Sequence, residues 1–109
     1  MIYAAPLTAR LSSAGIDFNA SGDNTIVSGV SSQTIRIFKL FLIVASGTSL
    51  IFKNGAGTAL TGAMSFGVNE GLVLPFDAEP WFVVSSGNAF VINSSIAIQV
   101  SGRVYYLQS

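Results

Sequence analysis

Residues 34–47, TIRIFKLFLIVASG, constrain the fold more than any other stretch of the chain. The run is rich in β-branched and aromatic side chains, which suit a pleated strand. A strand with one face in a core and the other in water alternates apolar and polar residues. This one is apolar on both parities. Ile35, Ile37, Phe41 and Ile43 fall on one, and Phe38, Leu40, Leu42 and Val44 on the other. A small two-layer domain offers such a strand a single core, so a second apolar surface must cover its other face. Arg36 and Lys39 are three apart and fall on opposite faces of a regular strand. A bulge near Ile37–Phe38 reunites them on one face.

The remaining sequence points to the same class. Eleven glycines interrupt every window long enough for an amphipathic helix. Short apolar runs between Gly, Ser and Asn turns predict an all-β, jelly-roll-like antiparallel β-sandwich, a single domain over residues 15–109. From Ile96 to Tyr106 the even positions form an apolar face and the odd positions a mostly polar one. Gly102 in that run reads as a bend or bulge. Met64, Phe66 and Val68, followed by Leu72, Leu74 and Phe76, read as a hairpin turning at Asn69-Glu70-Gly71, with Gly71 at positive φ. VASGTSLIF at 44–52 parallels VSSGNAFVI at 84–92. Both read as hairpins turning at Ser-Gly, a pairing that suits two Greek keys. Residues 1–14, kept extended by Pro6, read either as an arm lying on a neighbour or as an edge strand.

Charge narrows the function. The 109 residues carry five basic and five acidic side chains, 9% of the chain, where a soluble domain averages about 25%. The scattered Arg10, Arg36, Lys39, Lys53 and Arg103 make no basic stripe, so nucleic acid is not an expected partner. A monomer of 11.4 kDa exposes roughly 5,800 Å² by size scaling, which leaves about one charge per 580 Å². Such a surface favours association, and the expected partner is the chain itself. The side chains assigned to copy-to-copy packing are Phe38, Phe41, Ile43, Trp81, Phe82 and Tyr105.

The sequence supplies little chemistry. With no histidine and no cysteine, a Ser-His-Asp triad, a thiolate nucleophile and the usual zinc sites are excluded. No P-loop pattern occurs, so an enzyme is not expected, nor a cofactor. Asp77 and Glu79, in LPFDAEPW, form a stiff loop tip that reads as solvated carboxylates, or else as a cation site or a contact for a basic patch. Trp81 with Tyr3, Tyr105 and Tyr106 reads as packing, or as a sugar-stacking platform. The longest apolar run, 40–45, is too short to span a membrane, so no membrane partner is expected. The opening MIYAAPLTAR lacks the features of a secretory signal, so the expectation is a soluble product made inside a cell.

FLIVASGTSLIFKNG, GLVLPFDAEPWFVVSSGNAFVIN and SSIAIQVSGRVYY resemble small virion proteins of tailed bacteriophages, the decoration or cement type, over about residues 38–106. Phage tail-fibre and adhesin modules share the texture. The first resemblance implies a homotrimer of jelly rolls, made in the host cytoplasm. It would dock on the major capsid protein outside the head and stabilise it. The resemblance carries over no functional residue; Tyr3 and Arg10 of the opening arm are assigned to the capsid contact. The second implies a receptor- or glycan-binding module.

Overall fold

The structure is a computed structural model that describes residues 11–109. Its strands are β1 (Ser12–Phe18), β2 (Gly22–Val27), β3 (Ile35–Val44), β4 (Thr48–Asn54) and β5 (Thr58–Ala59), then β6 (Met64–Phe66), β7 (Gly71–Leu74), β8 (Phe82–Val84), β9 (Phe90–Ser94) and β10 (Val100–Gln108). No helix occurs among the described residues. All strand pairs are antiparallel.

The front sheet runs β1-β10-β3-β7, with β8 also on β3, and the back sheet runs β2-β9-β4-β5, with β6 also on β4. The order follows from one long hairpin rolled up. β1 pairs with β10, β2 with β9, β3 with β7 and β8, and β4 with β5 and β6; the pairings β10–β3 and β9–β4 close the roll. This is the jelly-roll form of sandwich that the strand pattern predicts.

Three local expectations need correction. The Ser46-Gly47 and Ser86-Gly87 turns carry the chain from the front sheet to the back, β3 to β4 and β8 to β9, so neither makes a hairpin. The 64–76 segment likewise splits, with β6 on the back sheet and β7 on the front. Its left-handed residue is Asn69, at φ 59°, while Gly71 is not among the positive-φ positions. A side chain at Gly71 would instead strike the Leu42 carbonyl. In the same way Gly102 marks a close approach: a Cβ there would run into the Phe41 carbonyl of β3. Of the expected 1–14 arm or edge strand, residues 1–10 lie outside the described residues, and 12–14 belong to β1, at the margin of the front sheet.

The core lies between the sheets. Ile35, Ile37, Leu40, Leu42 and Val44 of β3 meet Leu50, Phe52, Phe90 and Ile92 of the back sheet in one buried cluster. Phe52 is wedged edge-on between Phe82 and Phe90, with centroids 5.5 and 5.7 Å away. Val100 and Val104 of the even face of β10 turn inward, but the strand begins only at Val100 and Ile96, expected on that face, is 45% exposed. Two hydroxyls enter the interior, Thr48 and Ser94. They lie 2.9 Å apart, and Ser94 Oγ donates to the Ile96 carbonyl, so the burial leaves neither unpaired.

Candidate functional site

The double-parity strand β3 carries the expected bulge. Tyr105 of β10 faces Lys39 while Tyr106 faces Ile37, so Phe38 is the extra residue. Inward residues therefore switch from odd (Ile35, Ile37) to even (Leu40, Leu42, Val44) across it. Arg36 and Lys39 come to the same outer face, as their spacing required.

The segment between β7 and β8 covers this bulge. Phe76 stacks on Phe38 at 6.1 Å, the Asp77 amide donates to the Phe38 carbonyl, and the Trp81 amide donates to the Ile37 carbonyl at 2.8 Å. Trp81 Nε1 closes the loop on the Pro75 carbonyl at 2.8 Å, and Asp77 Oδ1 accepts from the Glu79 amide. The loop thus satisfies itself and packs along the margin of β3 between β7 and β8. Phe38, on the parity of Leu40, is covered in this way by the chain's own residues.

The outer face is open. Past the bulge, Phe41 and Ile43 point outward and are 43% and 49% exposed. Val73 sits opposite Phe41 on β7 and is 70% exposed. These three make one apolar patch, with Val83, 48% exposed, further along the same face. On the β10 side Arg103 lies opposite Phe41, and Lys39 places its Nζ 5.2 Å from the Tyr105 ring centroid. Cations therefore border the patch on the side facing β10.

The residues assigned to copy-to-copy packing separate accordingly. Phe41 and Ile43 are exposed on the patch. Trp81 is 41% exposed at the end of the covering loop. Tyr105 is half-buried on the outer face beneath Lys39. Phe38 is only 4% exposed and Phe82 packs its ring on Phe52, so both are used inside the chain and leave little for a second copy. Tyr3 and Arg10 lie outside the described residues. Val73 was not singled out in the sequence, and Val83, though part of the doubly apolar run 81–84, was not among the residues assigned to packing. Their signal is cross-strand register, which appears only once β7 and β8 are known to flank β3.

Other polar groups are engaged locally. Asp23, Lys53 and Asn93 meet on the outer side of the back sheet, with Lys53 Nζ 3.0 and 3.1 Å from the Asp23 oxygens and Asn93 Nδ2 at 2.7 Å. The Asn93 amide, and after it Lys53, holds the Asp23 carboxyl below its ordinary value. Asn54 ties the 85–88 turn to β4 through Ser85 and Asn88. Among the described residues no group of three or more acidic side chains is placed to hold a metal ion.

No protein-family model matches the chain, and no curated protein matches it. One solved structure, from work on Bacillus endospore appendages as a family of disulfide-linked pili, aligns over 99% of this chain and 96% of that one, with 12% identity and a TM-score of 0.49. A likeness of that size bears on neither the fold nor the function of this chain.

Proposed function

We propose that the chain is a viral structural protein, a decoration or cement protein that binds the outside of a phage head as a homo-oligomer, with three copies as the resemblance implies. The observation that carries this is the open apolar patch of Phe41, Ile43 and Val73 on a chain with so few charges. Exposed patches of this kind on a charge-poor sandwich favour permanent covering by protein. Covering the patch with protein stabilises the assembly by about 25 cal/mol per Å² of apolar surface removed from water, before association costs. The jelly-roll sandwich agrees with the phage resemblance.

The stabilising mechanism is linkage. A protein that binds the assembled shell and not its opened states shifts the equilibrium toward the shell, by about 2.7 kcal/mol per site at a hundred times its dissociation constant. No catalytic step is involved. The test is to add the purified chain to heads that lack it. Co-sedimentation with the heads and a higher melting temperature of the shell are expected; failure to bind any mature head would remove the reading.

A second reading, a glycan-binding module of a tail fibre, is favoured by the exposure of Trp81 on a loop that holds itself rigid. Sugar binding on a glycan array that Trp81→Ala abolishes is the result that would replace the first reading with this one.

A further inference from the structure

The four margins of the two sheets are not alike. The β7/β8 margin is split by the Pro75–Trp81 loop, and the β5/β6 margin consists of strands of two and three residues. β2 is interrupted by a register shift between Thr25 and Val27. β1 is seven residues long and pairs with β10 residue for residue, without a shift. Its other edge has no strand partner among the described residues. Its sequence, SSAGIDF, holds neither the lysine nor the proline that ordinarily guards a long edge.

We infer that this edge takes a second copy of the same chain, β1 antiparallel to β1 about a two-fold axis at Gly15. The two five-stranded front sheets would then become one sheet. Three observations select this occupant and this register. Gly15 is the midpoint of Ser12–Phe18, so pairing about it engages all seven residues of both strands. The side chains on either side of the axis are small: Ala14 faces inward, and Ser13 and Gly15 face outward. The third is charge. Asp17 is the single charged residue of β1, and a centre at Asp17 would set two carboxylates face to face. Centred on Gly15, each Asp17 lies opposite the partner's Ser13, whose hydroxyl in this chain already accepts from Arg103 Nη1 at 2.9 Å. A guanidinium is thereby brought beside each incoming carboxylate. The inference is independent of the decoration reading, because the apolar patch and the β1 edge are separate surfaces.

The test uses the absence of cysteine in the chain. Gly15→Cys places two thiols directly opposite one another across the axis, where mild oxidation is expected to give a covalent dimer. Ser13→Cys places its two thiols four strand positions apart, about 13 Å, beyond disulfide reach, and is expected to stay uncross-linked. Gly15→Lys, at a position with open space around a Cβ, sets like charges opposite each other. It is expected to raise the dissociation constant of this contact at least about tenfold, with an unchanged circular dichroism spectrum. Absence of the Gly15→Cys dimer, equal cross-linking by both cysteines, or an assembly indifferent to Gly15→Lys would each overturn the inference. Occupation of the edge by residues 1–10 of the same chain gives the first of these results.

Discussion

Gly102 and Gly15 lie on adjacent strands of one sheet, yet they serve different ends. Gly102 admits the β3 backbone to a distance that leaves no room for a methyl group, whereas Gly15 faces open space. Gly102→Ala is therefore expected to cost about 1–3 kcal/mol, the range for overpacking, and Gly15→Ala close to nothing; urea denaturation of the two variants checks the contrast. Asp23 supplies a pH-dependent term. Its folded carboxyl sits below the ordinary 3.8, so its contribution is complete above that value and disappears as the pH falls through the depressed one. The group is well exposed, and the effect is small. Asp23→Asn is expected to flatten the acid limb of a plot of urea midpoint against pH, and a limb of unchanged slope would show that other carboxylates set it. These roles were only partly legible. The sequence marks Gly102 as a glycine inside a strand, but whether the reason is a bulge or a close approach depends on the backbone across from it.

At the level of strands, the bulge in β3 was legible because it leaves a chemical trace: two cations three apart cannot share a face of a regular strand. The period-2 alternation of β10 was legible for the same kind of reason. The Ser-Gly turns were legible as a matched pair and misread as hairpins. A turn's residues report that the chain reverses, not which sheet the next strand joins, and in a sandwich both outcomes use the same small residues. The loop of residues 75–81 shows the limit from the other side. Its two prolines announce a stiff tip, while its landing on Phe38 depends on β7 and β8 flanking one strand. Phe38 and Phe41, three residues apart, should accordingly behave differently. Phe38→Ala empties a covered position and is expected to destabilise the fold by about 3–5 kcal/mol. Phe41→Ala, on the open face, should shift it by less than about 1 kcal/mol. Thermal unfolding of both, at concentrations low enough to suppress association, measures the difference.

On the scale of the whole molecule, the fold makes distant parts of the chain neighbours. β1 lies on β10, and Gln99 reaches Asp17 at 2.7 Å across 82 residues of sequence. Such non-local pairing places folding in the millisecond-to-second range, on the order of the slower β-sandwiches. A refolding phase in microseconds, read by stopped-flow or temperature-jump tryptophan fluorescence of Trp81, would not fit this topology. The apolar residues of β3 divide into those the molecule covers for itself, Phe38 among them, and Phe41 and Ile43, which it leaves open, and the open part is where the function is proposed to lie.

The most direct measurement is light scattering on the size-fractionated protein beside the double variant Phe41→Ser, Val73→Ser. The native chain should show two or more times 11.4 kDa, and the variant should fall to a smaller multiple while keeping its β-sheet spectrum. A native chain that runs as a single 11.4 kDa species at about 100 μM, a hundredfold above a micromolar dissociation constant, would contradict the covering of that face by a second copy.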